Sequence, residues 1–245
     1  MTTSVQFLLI LIASLTILTA VFSSNRKGEL YLRSRTWLII VVILLVVSLT
    51  SPWGWYAIDI VLLYLSSTEI WNACRDYSRW YVNFISPIYA SVTLSLICQA
   101  GVIFCFSAEI GTALMLYFIF AVQSNDVLQY IFGKLFGRHS LAKNISPNKT
   151  IEGAVLGAIA SAVISSLLAS WLVPIAIPHV FMLGLLLAVA GTIGDLMISK
   201  FKRGRQIKDM GTLLPGHGGI LDRIDSLLLS APLFFIFLLL LKKSL

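Results

Sequence analysis

The sequence predicts an all-α, polytopic integral membrane helical bundle with about eight transmembrane helices, and three observations carry that prediction. Mean hydropathy is +0.91 over 245 residues, with 58% hydrophobic and only 12% charged residues, the composition of a chain whose solvent is largely lipid. Its apolar runs approach the roughly 20 residues that a helix needs to cross the hydrocarbon core. The cations are segregated into alternate connections between those runs.

The runs are Val5 to Phe22, Trp37 to Thr50, Trp55 to Ile70, Phe84 to Phe106, Glu109 to Ile131, Ala154 to Val173, Val180 to Ile198 and Ser226 to Leu241. Together they read as a single membrane domain over 1–245. The second and third are separated by Ser51-Pro52-Trp53-Gly54, which allows only a tight hairpin. No charge precedes the first run and Arg26-Lys27 follow it, so it reads as a retained helix with an outside N-terminus, not as a signal peptide.

With eight spans, every Lys and Arg except Lys242 and Lys243 lies in an odd-numbered connection, and the even ones near Ser51, Ser107 and Pro174 to Pro178 hold none. The positive-inside rule therefore places the odd connections in the cytoplasm and both termini outside. The net charge of +7 sits in membrane-proximal loops, where lipid headgroups and nucleotide phosphates are nearer partners than nucleic acid. Cys74, Cys98 and Cys105 lack paired spacing and a neighbouring His, which argues against disulfides and zinc. Trp53, Trp55, Trp71, Trp80 and Trp171 fall near span ends, as aromatic belts do.

Chemistry is concentrated in 199–225. Lys202, Arg203, Lys208 and Arg223 are donors of the kind that clamp phosphates, Arg as a fork and Lys as a point charge. Asp209, Asp222 and Asp225 supply hard oxygens that suit Mg²⁺ better than zinc. Gly216, Gly218 and Gly219 lack Cβ, so a polyphosphate can approach the main-chain N–H groups of a turn leading into a helix near Asp222. Basic residues alone would mark an orienting loop. That reading leaves His217-Gly218-Gly219 and three interspersed aspartates unexplained.

Asp195 stands near the end of an apolar run, and a carboxylate at membrane depth costs on the order of 2.5 to 3.5 kcal/mol, which makes it a functional-site candidate. The alternative is an aspartate at the water interface. Asp126 poses the same question at the end of the fifth run, where Asn125, Asp126 and Gln129 fall within one helical turn. Ser146, Lys149 and Glu152 follow at spacings of three and align along one side if Pro147 starts a helix. Ser146 would then either cap that helix or touch substrate. Asp59, Glu69 and Glu109 read as interfacial, and His139 and His179 as structural or solvated.

Two blocks carry a resemblance. Ser199-x-x-Lys202-Arg203, Lys208-Asp209 and Pro215-x-His217-Gly218-Gly219-x-x-Asp222-Arg223-x-Asp225 resemble the signature of the phosphatidate cytidylyltransferases, or CDP-diacylglycerol synthases, with every fixed position present. Asn125-Asp126, Tyr130, residues 133–138 and Ser146-Pro147-x-Lys149-Thr150-x-Glu152-Gly153 are similar to the family's other polar segment, although Gln129 stands where the family more often has Ala. The resemblance covers roughly 120–230.

It implies a membrane nucleotidyltransferase that makes CDP-diacylglycerol and pyrophosphate from CTP and phosphatidate, by metal-assisted attack of the lipid phosphate on the CTP α-phosphorus. The implied cofactor is Mg²⁺, with a second metal ion left open. By resemblance, Asp195 and Asp222 hold metal. Lys202, Arg203, Lys208, Asp209, His217, Arg223 and Asp225 are implied as catalytic, and Asn125, Asp126, Ser146, Lys149, Ser199, Gly218 and Gly219 as substrate-binding. The site would lie on the cytoplasmic face of the membrane, which in a bacterium is the cell or inner membrane, among membrane lipids. A homodimer is implied by resemblance only; Gly153-x-x-x-Gly157 serves intramolecular packing equally well. A different lipid phosphate as substrate, or a catalytically silent scaffold or transporter, stays open as an alternative.

Overall fold

A computed structural model of the chain describes residues 3–21, 29–74, 82–173, 175–213 and 218–244. Its elements are α1 (Thr3–Val21), α2 (Glu29–Leu49), α3 (Trp53–Cys74), α4 (Val82–Cys105), α5 (Ala108–Phe136), β1 (Ser140–Ala142), β2 (Ser146–Thr150), α6 (Ile151–Leu172), α7 (Ile177–Gly204), α8 (Leu221–Ile224) and α9 (Leu227–Ser244). Among the described residues each predicted apolar run falls in a helix, overhanging it by at most one residue at an end. Pro87–Cys105, Ala108–Phe136, Ile151–Leu172 and Ile177–Gly204 are long and apolar enough to cross a membrane, and Thr3–Ile17, Arg35–Leu49 and Leu227–Lys242 are shorter apolar helices. α3 differs because it carries two carboxylates, Asp59 and Glu69, that are buried within the protein.

α5 is the axis of the bundle. Met115, Tyr117 and Phe118 are fully buried; the Phe118 ring stacks on Phe234 of α9 at 4.8 Å, and Tyr117 donates to the Val180 carbonyl of α7 at 3.3 Å. α6 lies against α5 through small residues. A Cβ on Gly157 would stand 2.8 Å from the Gln129 backbone nitrogen, and one on Gly153 would stand 2.7 Å from the Gln129 carbonyl oxygen. The Gly153-x-x-x-Gly157 face is therefore consumed within the chain, as small-xxx-small faces are where backbones approach closely.

Polar side-chain contacts join neighbouring elements at each end of the bundle, while Ser95, Gln99, Ser161 and Ser165 are buried along its length. At one end Trp55 Nε1 donates to Thr112 Oγ1 at 3.2 Å, Thr112 donates to Ser51 Oγ at 2.8 Å, and Lys242 donates to the Cys105 carbonyl at 2.7 Å. Trp55 is 2% exposed, so it locks the α2–α3 corner instead of joining an aromatic belt; Trp53 and Trp71 are exposed as a belt requires, and Trp80 lies outside the described residues. The C-terminal end of α3 and the cationic connections after α5 and α7 gather at the other end, where Arg205 donates to the Ala73 carbonyl and Arg203 to the Ile145 carbonyl; Arg75 and Arg79 lie outside the described residues. This grouping is the one that the charge distribution predicts.

The segment around Pro147 is not a helix start. Residues 146–150 form β2, paired antiparallel with β1, because proline biases Ser146 toward an extended backbone and the chain stays extended to Thr150. Thr150 is the N-cap of α6, its hydroxyl accepting from Gly153 N at 3.1 Å. Glu152 accepts the backbone N–H groups of Arg138 and His139 at 3.1 and 3.2 Å and meets the His139 ring at 2.6 Å. In a strand, positions three apart lie on opposite faces, so Ser146 and Lys149 do not share a side.

Glu69, near the end of α3, clamps the signature loop. Its Oε1 accepts the Ile220 N–H at 2.8 Å and its Oε2 the Leu221 N–H at 2.9 Å, at the start of α8. Cβ atoms on Gly211 and Gly219 would stand 2.7 and 2.6 Å from the same carboxylate, so only glycine admits it. Glu69→Gln is expected to cost about 1.5–3 kcal/mol, the range for hydrogen bonds to a charged group. Hydrogen exchange checks it: the Ile220 and Leu221 amides should lose protection, and unchanged exchange there would contradict the clamp.

Candidate active site

Asp222 is 6% exposed and both of its oxygens are engaged. Oδ1 accepts from Lys202 Nζ at 2.7 Å, and Oδ2 accepts the backbone N–H groups of Met210 at 2.7 Å and Gly219 at 2.9 Å. The last turn of α7 thus supplies the cation and the signature loop supplies the amides. A buried carboxylate without them would carry a desolvation penalty of several kcal/mol. Gly218 adopts φ +81°, and a Cβ there would stand 2.9 Å from Asp222 Oδ2, so the turn requires glycine for both backbone and space.

A second cluster lies beside it. Gly194 allows the Asp225 carbonyl to within 2.6 Å of where its Cβ would stand, which beds the α8–α9 turn against α7 next to Asp195. Ser199, one helical turn further, donates to Asp195 Oδ1 at 3.1 Å, and Lys149 arrives from β2 to form an ion pair with Asp195. Asp225 is 8% exposed and accepts the Ser226 N–H at 2.9 Å. Burial, then the Asp195 and Asp126 carboxylates, pushes its carboxyl well above the usual carboxylate range, with Lys202 opposing.

The remaining predicted residues divide by location. Asn125 and Gln129 tie α5 to α7, donating to the Ala188 carbonyl at 3.3 Å and to Thr192 Oγ1 at 2.5 Å. Asp126, next in sequence, belongs to the carboxylate cluster, and its Oδ1 is buried without a hydrogen-bond partner. Arg203 joins the β1–β2 connection to the signature loop through Ile145 at 3.2 Å and Ile207 at 3.4 Å; Lys208 and Asp209 are exposed at the rim, and Ser146 is half-buried. Arg223 has a buried Nε without a hydrogen-bond partner. His217 lies outside the described residues.

Among the described residues no three His, Cys, Asp or Glu groups stand together as a formed metal site. The donor chemistry nevertheless fits a hard divalent cation. Asp126 offers an unpaired buried oxygen, and Asp126 and Asp195 raise the affinity of Asp225 for a proton, a repulsion that a bound cation relieves. Asp222 is the exception, since its oxygens are already paired with Lys202 and two amides. Sequence reasoning missed Glu69 and Arg205; the available signal was an acidic residue within an apolar segment, which marks function or tight structure by default.

The Lys202–Asp222 pair is testable by a double-mutant cycle. Lys202→Met is expected to cost about 3–5 kcal/mol of stability by leaving a buried carboxylate uncompensated, and Asp222→Asn in the same background should recover part of it. Strictly additive losses, measured by chemical unfolding in detergent, would contradict the pairing.

The profile of the Cytidylyltransferase family matches residues 2–241. The chain is 36% identical over 168 residues to the phosphatidate cytidylyltransferase of Staphylococcus saprophyticus and 36% identical over 177 residues to that of Staphylococcus aureus strain COL, covering 67% of this chain and 65% of each relative. It is also 42% identical over 128 residues to the uncharacterized protein YnbB of Escherichia coli K12, covering 52% of this chain and 43% of that protein. The chain thus spans less than two thirds of the length of these relatives. With the signature residues folded around Asp222 and the profile matched from end to end of the bundle, the chain belongs to the cytidylyltransferase family.

Proposed function

We propose that this protein transfers the cytidylyl group of CTP to the phosphate of a membrane lipid, phosphatidate, giving CDP-diacylglycerol and pyrophosphate. The observation that carries the reading is the meeting of the two polar blocks, with Lys149 of one paired to Asp195 of the other beside Asp126 and Asp225. Relatives named phosphatidate cytidylyltransferase support the choice of substrate.

A lipid phosphate oxygen attacks the α-phosphorus of CTP, the new phosphorus–oxygen bond forms as the bond to pyrophosphate breaks, and pyrophosphate leaves with the bonding pair. The lipid phosphate is already an anion, so no strong general base is needed. The obstacle is to bring two anions together, and fixed cations lower it. Lys149 and Lys202 are paired with Asp195 and Asp222, and Arg223 follows Asp222 in α8; the exposed Arg203 and Lys208 attract the triphosphate, with Asp209 next to Lys208 in sequence. Gly218 and Gly219 shape the turn, His217 is assigned to phosphate binding by its place in the sequence signature alone, and Ser199 holds Asp195. Asn125 fixes α5 against α7 so that Asp126 is presented, and Ser146 starts the strand that delivers Lys149.

The oxygens that would hold Mg²⁺ are those of Asp195, Asp126 and Asp225, with Asp222 joining them if Lys202 turns to a phosphate. When bound, the ion supplies charge neutralisation for the phosphates. The site faces the cytoplasm, where the cationic connections lie.

Pyrophosphate release by the purified, detergent-solubilised chain with CTP, Mg²⁺ and dioleoyl phosphatidate tests the reading. Wild-type turnover and a loss of at least ~100-fold in Asp195→Asn are expected, the scale for removing a group that stabilises transition-state charge. Folded wild-type protein that binds CTP but releases no pyrophosphate would overturn phosphatidate as the acceptor.

A further inference from the structure

A groove of about 470 Å³ runs between α2, α3, α5 and the α8–α9 segment, apart from the acid cluster but adjoining it. Its walls are aliphatic: Ile40 and Leu44 of α2, Leu62 of α3, Ile119 of α5 and Leu227 of α9 are among them. Its polar groups are Arg35, Thr36, Gln123 and Arg223. Arg35 and Arg223 introduce two positive charges and the lining includes no carboxylate. Such a lining, mostly apolar with a few convergent polar groups, is that of a ligand site.

Two further features say what enters it. Ile39 and Ile43, on the same wall, are 50% and 42% exposed, so the groove opens sideways where a membrane helix meets hydrocarbon. From Arg35 to Leu44 the α2 wall runs about 14 Å at 1.5 Å per residue, close to half of a hydrocarbon core of about 30 Å, which is the depth of one leaflet. At the polar end, the buried Arg223 Nε has no hydrogen-bond partner, and Gln123 Nε2 meets the Arg223 carbonyl at 3.4 Å. Arg223 stands directly after Asp222 in α8, so the polar end of the groove and the candidate active site share one helix.

We propose that this groove binds an acyl chain of the lipid phosphate substrate, and that Arg35 on α2, together with Arg223, selects the phosphomonoester head at its mouth. The inference rests on the function proposed above. A diacyl lipid enters from the bilayer, its chain lies against α2 and α3, and its phosphate is held where Arg223 delivers it toward Asp222 and Asp225. A cationic fork at the mouth favours a terminal phosphate over a neutral headgroup, and the apolar wall favours long chains over short ones.

Photo-crosslinking separates this inference from the catalytic one. Full-length protein in nanodiscs is irradiated with phosphatidate carrying a diazirine midway along one chain, and adducts are mapped by mass spectrometry. Adducts concentrated on α2, α3 and α5 at Ile40, Ile43, Leu62 or Ile119, and competed by dioleoyl phosphatidate but not by dioleoylglycerol, are expected. Adducts spread over outward residues such as Ile159 and Leu167 without enrichment in the groove would overturn it. Arg35→Gln should raise KM for dioleoyl phosphatidate about tenfold, the loss of one charge-assisted contact, with KM for CTP unchanged and Arg35→Lys partly restoring it. An unchanged lipid KM, or equal changes for lipid and CTP, would remove Arg35 from headgroup selection. Should the wild type convert no phosphatidate, the catalytic reading fails while the adduct map still decides whether the groove holds a lipid phosphate.

Discussion

The carboxylate of Asp222 is the point on which the polar end of this bundle depends. It collects the last turn of α7 through Lys202, the signature loop through the Met210 and Gly219 amides, and α8 through its own backbone. A charge this deeply buried is tolerable only when every lone pair is used, so the three partners are constrained together. Glu69 repeats the device from the opposite side, its two oxygens fixing consecutive amides at the start of the same short helix. A four-residue helix has little stability of its own; two buried carboxylates, one within it and one on α3, hold it in place.

From that node the electrostatics of the site follow. Lys202 neutralises Asp222, and Lys149 neutralises Asp195, while Asp225 sits among acids and is pushed toward its neutral form. The arrangement has cations and acids in close alternation, with one acid left short of a positive partner. Such a site has capacity for additional positive charge among the acids and for anions beside the lysines and arginines, which is the pairing that transfer between two phosphate compounds demands.

Much of this was legible in the residues. The apolar runs located the long helices among the described residues, and the cation asymmetry grouped the connections after α5 and α7 at one end, because hydropathy and charge act locally along the chain. Asp195, Asp222 and Asp225 were readable as a site, since charge near apolar sequence is rare without purpose. Glu69 was not: its partners are backbone amides some 150 residues later in the chain, and no spacing encodes a contact of that separation. The strand at 146–150 was missed for a different reason. Polar positions at intervals of three fit a helix, yet the residue before Pro147 is held extended, and pairing with Ser140–Ala142 carried that geometry on to the cap at Thr150. The role of Gly153 and Gly157 depended on whether a second chain or α5 met them, and only the packing against Gln129 decides it.

The most direct test of the central claim follows the oxygen atoms. Phosphatidate labelled with ¹⁸O in its phosphate is incubated with the purified chain, CTP and Mg²⁺, and the lipid and pyrophosphate products are weighed by mass spectrometry. Attack by the lipid phosphate predicts a CMP-bearing lipid that retains all of the label and a pyrophosphate that carries none. Labelled pyrophosphate, or CTP breakdown without a CMP-bearing lipid, would contradict it.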